Sequence, residues 1–175
     1  MRSRLATRSA RLALAVVAAA ALTATAVTTA TAVSGGTGRA VQACATDDLD
    51  FTVGSETQAG GYLLVTATAK SGVTCYLEGV FPSASFGSAA DTEVSPAEQS
   101  VSDDVILSGS TAAYAGINPK STNDNNGRQF DLLHLAVTGD ELNAVTLELP
   151  ETVTVDRPIA TNWHADPADA VPFSS

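Results

Sequence analysis

The chain has 175 residues, 45% of them hydrophobic, only 5% aromatic and 16% charged. That length accommodates one ordinary domain, and nine Lys+Arg against nineteen Asp+Glu, a formal charge of −10, argue against nucleic acid or an anionic membrane as partner. Two cysteines and two histidines cannot build a multi-zinc module, and so high an apolar fraction argues against intrinsic disorder.

The chain opens with Arg2, Arg4, Arg8 and Arg11, followed by an uncharged run of Ala, Val, Leu and Thr from Leu12 to Val33. A basic start, an apolar middle and a small-residue Ala-x-Ala site compose a secretory signal. Two such sites occur, Ala24-Thr25-Ala26 and Ala30-Thr31-Ala32. The second is preferred because it lies nearer the Ser-Gly-Gly segment at Ser34. A retained transmembrane anchor is the alternative, but Ala and Thr make the run weakly apolar for that role. The expectation is a signal peptide over 1–32, a flexible leader over 33–43 and one domain over 44–175. After processing, five basic and nineteen acidic residues remain, a formal charge of −14. Such a balance keeps an exported protein soluble and monomeric; attraction to cations or to a basic partner is the sharper reading.

Val41-Gln42-Ala43-Cys44 faintly resembles a lipoprotein signal, but Gln42 fits poorly and residues 34–39 separate Cys44 from the apolar run. Cys44 and Cys75 are the only cysteines. In an exported protein two lone cysteines most simply form a disulfide. A Cys2His2 site with His134 and His164 would need ligand pairs a few residues apart, and here every spacing is tens of residues.

From Leu49 onward the dominant period is two. Leu49, Phe51 and Val53 alternate with Asp50 and Thr52; Val145, Leu147 and Leu149 alternate with Thr146 and Glu148; Val153 and Val155 flank Thr154. Phe51, Val53, Leu147 and Leu149 are therefore expected in one core, with Asp50, Thr52 and Glu148 in solvent. Tyr62–Ala69, Val105–Leu107 and Ala112–Ile117 read as more deeply buried strands, punctuated by Gly60-Gly61, Ser71-Gly72, Asn118-Pro119 and Gly139-Asp140. The one helical signal is a single turn at Ser95-Pro96-Ala97-Glu98. Seven or more short strands predict an all-β, antiparallel sandwich.

Cys75-Tyr76-Leu77-Glu78-Gly79-Val80-Phe81-Pro82 resembles the Cys-x-Leu-x-Gly-aromatic-Pro signature of a family of actinobacterial exported proteins built on a domain of unknown function. Cys44 upstream, Val105–Ala115 with its Gly109, and the ending near Trp163 and Pro172 extend the resemblance over roughly Cys44 to Pro172. It implies an immunoglobulin-like sandwich and supplies no catalytic residues. Two departures stand out: Val80 is an extra residue before Phe81-Pro82, and the second cysteine pair of many relatives is missing.

The remaining candidates concern metals and hydrolysis. His134, in Asp131–Val137, falls on the strand face opposite Leu133, Leu135 and Val137, the less buried one. With His164 it could form a two-histidine copper or zinc site, although Met1, the only methionine, leaves with the signal and supplies no thioether. Ser121–Gly127 is the most distinctive polar stretch. Aligned on Gly127 as a calcium loop it puts Thr122, Asp124 and Asn126 at odd positions but Leu133 where a bidentate Glu belongs, so the first and last ligands both fail; a mobile hairpin loop explains the stretch more simply, with Asp124 and Asp131 left as weak calcium ligands. No Gly-x-Ser-x-Gly is present, and acid pairs such as Asp103/Asp104 and Asp140/Glu141 mark solvated loops unless space brings them together. The sequence thus predicts a secreted, monomeric, non-catalytic sandwich acting as a binding or cell-envelope interaction module, without cofactor and without stable membrane insertion. Its partner would be a protein or envelope ligand. A divalent-cation-binding exported protein and a hydrolase with an unrecognised site remain the alternatives.

Overall fold

The computed structural model describes residues 40–173; the expected signal peptide and most of the expected leader lie outside them. The described residues form an all-β sandwich with three sheets. The largest contains β2 (Leu49–Glu56), β3 (Tyr62–Ala69), β8 (Ala112–Asn118), β11 (Ile159–Ala160) and β6 (Ser95–Pro96), in that order. A second sheet orders β10 (Val145–Val155), β9 (Arg128–Ala136) and β5 (Ser83–Ser85). The third orders β1 (Gln42–Ala43), β4 (Thr74–Leu77) and β7 (Val105–Ser108). Pairing is antiparallel except where the two-residue strands β1 and β6 run parallel to β4 and β11.

The period-two sequence pattern becomes the inner face of each sheet. Val65 and Ala67 on β3, Ala113, Ala115 and Ile117 on β8, Leu77 on β4, Leu107 on β7 and Leu133 and Leu135 on β9 are all buried in one core. Phe51, Val53, Leu147 and Leu149 pack against that core half-buried, while Asp50, Thr52 and Glu148 are exposed. The β9–β10 ladder slips between Glu148 and Val153. Pro150 lies in that interval and has no N–H to give a ladder, which is where sheets accept proline.

Three local expectations change. Ser95–Glu98 is not a helical turn: Ser95 N–H donates to the Pro158 carbonyl and Ala97 N–H to that of Ala160, so the segment is drawn out as β6, and a 3-10 turn forms upstream at Ala90–Thr92. Pro96 is tolerated because β6 is an edge strand that needs no donor there. The leader is shorter than expected, because Gln42 and Ala43 pair with Cys75 and Tyr76 and Cys44 N–H donates to the Tyr76 carbonyl at 2.8 Å. Val105–Leu107 is not buried throughout: β7 is an edge strand with one covered face, so Val105 and Leu107 point in and Ile106 is 59% exposed.

Gly79, just past β4, has a packing reason to be glycine. A Cβ there would sit 2.0 Å from the backbone oxygen of Ser102. Its N–H donates to Asp104 and its carbonyl accepts the Ser102 N–H, so the 102–104 segment is locked onto it. Gly79→Ala is expected to cost about 1–3 kcal/mol, as overpacking does, whereas Gly54→Ala has open space for its methyl group. Urea melts of the two variants check this; equal midpoints would contradict the close approach.

Candidate functional site

Strand register builds the site on the outer face of the β5–β9–β10 sheet. Ser85 pairs with His134 and His134 with Thr146, so three polar side chains stand in a row across three strands. The His134 Nδ1 lies 2.9 Å from the Thr146 hydroxyl. Beside this row runs an open groove of about 390 Å³. Phe81, Val94 and Ala136 supply its apolar lining, and Glu93 and Glu141 its charge. Ala136, two residues after His134 and so on the same strand face, is buried, at 1% exposure, in the wall of this groove. The Gly139 N–H donates to Glu141 at 2.8 Å. That hydrogen bond, the largest influence on Glu141, outweighs desolvation and holds its carboxyl below the ordinary range.

The turn beside the groove is pinned to the segment between β1 and β2. Asp140 accepts the backbone N–H of Thr46 at 2.8 Å and the Asn143 side-chain amide at 2.7 Å. These bonds lower the Asp140 pKa, the Thr46 N–H first among them. Thr46, wholly buried, in turn accepts the Val137 N–H at 3.0 Å. Next to Thr46 the Cys44–Cys75 disulfide closes with a Cα separation of 5.0 Å, inside the range such bonds allow.

The polar stretch Ser121–Gly127 does hold a cation, its own. The Lys120 ammonium, with three N–H donors, is surrounded by four acceptors: Thr122 Oγ1 (2.7 Å), Asn126 O (2.8 Å), Asp124 Oδ1 (3.0 Å) and Asp156 Oδ2 (3.2 Å). Desolvation alone would lower the Lys120 pKa, but the hydrogen bonds with Asp124 and Asp156 outweigh it and raise it. The bond to Lys120, with those from Asn126, holds the Asp124 carboxyl far below the ordinary range. Asp131 is not part of this cage; it accepts the Thr152 hydroxyl at 2.5 Å across the β9–β10 slip.

This arrangement predicts a pH dependence. A depressed Asp124 contributes stability that is complete above its unfolded pKa and is lost as pH falls toward the folded value. Lys120→Met removes that contribution and leaves two carboxylates facing each other. The urea midpoint of the variant should lie below wild type by a constant gap from about pH 8 to 5, narrowing below about 4. A gap independent of pH down to the acid transition would refute the cage as a source of stability.

The second histidine sits elsewhere, on the segment after β11. His164 bridges Tyr114 of β8 through its backbone, and its Nε2 lies 2.9 Å from Glu98 Oε1 and 3.5 Å from Ser102 Oγ. The Asn162 side chain donates to Glu98 (3.0 Å), the Ser100 carbonyl (2.7 Å) and Ser102 (3.3 Å). A serine, a histidine and a carboxylate are thus in contact, but not as a triad. Catalytic triads put the acid and the nucleophile on opposite ring nitrogens. Here both face Nε2, which cannot donate its proton to Glu98 and take one from Ser102 at once. The arrangement can tie the last strand to the 98–102 loop. The four sequence candidates Asp124, Asp131, His134 and His164 therefore make four separate sets of bonds. Among the described residues no three His, Cys, Asp or Glu side chains gather closely enough to hold a metal ion.

Residues 44–164 match a family defined as a domain of unknown function, DUF4232. The chain belongs to that family. No curated protein matches the chain, and neither does any solved structure. The DUF4232 span begins at the disulfide cysteine Cys44 and ends at His164, the residue that anchors the Glu98 network. Within the domain, sequence reasoning placed His134 on an open strand face and missed its groove partners Glu93 and Glu141, which come from a different loop and a 3-10 turn. It also missed Glu98, Ser102 and Asn162. Lys120 was within reach: a lysine directly before a run of oxygen-bearing side chains is itself a candidate occupant of that run.

Proposed function

We propose that this protein is an exported, monomeric, non-catalytic binding or cell-envelope interaction module, with the outer-face groove at His134 as its binding site. The observation that carries the reading is that groove: an open concavity of about 390 Å³ combining apolar walls with a few convergent polar groups, the usual composition of a ligand site. Residues 1–32 serve as the signal peptide, and Cys75–Pro82 is the signature of an actinobacterial exported family. Cys75, Leu77, Gly79 and Pro82 of that segment are buried, which suits a structural role for them. A buried disulfide suits an oxidising compartment, and it uses the sulfur that a lipid anchor on Cys44 would need. The non-catalytic part of the reading draws support from the shared Nε2 of His164. A divalent-cation role is disfavoured by Lys120, which fills the oxygen cage a cation would want.

Intact mass of protein from culture medium tests processing: a chain starting near Val33 without lipid is expected, and a retained 1–32 segment would overturn export as a soluble protein. Binding is tested by capture from envelope and culture-supernatant fractions, comparing wild type with Ser85→Trp, which fills the groove while the urea midpoint monitors folding. A partner retained by wild type and lost by the variant is expected. Equal capture by both would remove the groove from the reading.

A further inference from the structure

Deepening that reading, and resting on it, we propose that the groove beside His134 takes the cationic side chain of a basic protein partner, a lysine reaching in from an extended segment. A lysine has two needs, cover for its four-carbon stem and a counter-charge for its ammonium. The groove offers both. Phe81, Val94 and Ala136 form apolar walls for the stem. Glu93 and Glu141 supply the counter-charge, and no lysine or arginine lines the groove, His134 being its one other ionisable residue. Arg157 shares a smaller neighbouring hollow with Glu93 but makes no ion pair with it among the described residues.

Long-range charge points the same way. All nineteen acidic residues of the chain lie within 40–173, with only four basic ones, Lys70, Lys120, Arg128 and Arg157. Three of these four are already engaged: Lys70 with the Asp47 carbonyl, Lys120 in its cage and Arg128 with Asp91. The field around the domain therefore attracts a basic partner and repels an acidic one. The other polar clusters offer a ligand nothing comparable, since the Lys120 cage and the Glu98–His164 network are satisfied internally.

The test uses ¹⁵N-labelled protein from culture medium and the blocked tripeptide acetyl-Ala-Lys-Ala-amide, with its norleucine counterpart as an uncharged probe. The lysine peptide is expected to shift the amides of Ser85, Thr138 and Glu141. The norleucine peptide should bind about two- to fivefold more weakly, the worth of one exposed ion pair. Glu93→Gln with Glu141→Gln should weaken the lysine peptide by a similar factor. Glu148→Gln with Glu151→Gln, of the same net charge but outside the groove, should leave it unchanged. Equal binding of the two peptides, equal weakening by both variant pairs, or shifts confined to another face would each overturn the proposal. Failure here with partner loss in Ser85→Trp would leave the binding module standing and remove only its cationic ligand; capture independent of Ser85 would remove the module's site itself.

Discussion

Trp163→Ala is expected to lower stability by about 3–5 kcal/mol, the loss typical of truncating a buried tryptophan. Trp163 is the only tryptophan of the chain and is 1% exposed in the core. Its ring packs against Phe51 of β2 with centroids 6.3 Å apart, and its backbone N–H, which alanine would keep, donates to the Val80 carbonyl at 3.1 Å. It also walls a cavity of about 240 Å³ that reaches Cys44, Tyr76 and Asp140. Trp163 therefore packs on β2 beside the connection that follows β4, and its removal enlarges that cavity. Leu142→Ala is the control: Leu142 is fully exposed and its truncation should stay within about 0.5 kcal/mol. The comparison is of urea midpoints at unchanged slope. Equal midpoints would mean that Trp163 does not fill the core as described.

The strands were legible because one rule generates them. A half-buried strand writes apolar-polar alternation into the sequence, and the Leu49–Val53 and Val145–Leu149 runs carry it without interruption. The rule falters where an edge intervenes. Val105-Ile106-Leu107 is apolar at every position, which reads as burial on both faces, yet β7 has an exposed face and Ile106 stands on it. It falters again at Ser95-Pro96, where a serine cap and a first-turn proline promise a helix. Hydrogen bonds to Pro158 and Ala160, more than sixty residues away, decide otherwise. Local propensity is worth less than a kcal/mol or so per residue, and a pair of ladder bonds with tertiary packing overrides it.

The site was legible one residue at a time and no further. Alternation within Asp131–Val137 fixes the face of His134. What stands beside His134 depends on β5 lying against β9 and on the Glu141–Asn143 turn, and neither pairing is written in local pattern. The calcium-loop comparison erred in a more instructive way. It recognised that Thr122, Asp124 and Asn126 are oxygen donors at the spacing a cation wants. It looked for the cation in solution, while a lysine ammonium two residues before Thr122 meets the same electrostatic demand.

Replacing Cys44 and Cys75 together by alanine is expected to cost about 3–4 kcal/mol, from the chain entropy released by opening the loop. The two residues are 31 apart in sequence, and both are buried. In that model the bond acts mainly by restricting the unfolded chain, so the native sandwich should survive its loss. One native segment does depend on the bond. β1 has two residues and one neighbour, so it is too short to persist by pairing alone. Amide hydrogens of the Gln42–Cys44 segment should therefore exchange faster in the variant even under conditions where Leu133 and Leu135 stay protected. The two effects are separable: a lowered urea midpoint reports the unfolded chain, and local exchange reports the freed strand. A midpoint unchanged from wild type would show that the Cys44–Cys75 loop is already restricted in the unfolded state, and would overturn the disulfide as a principal source of this domain's stability.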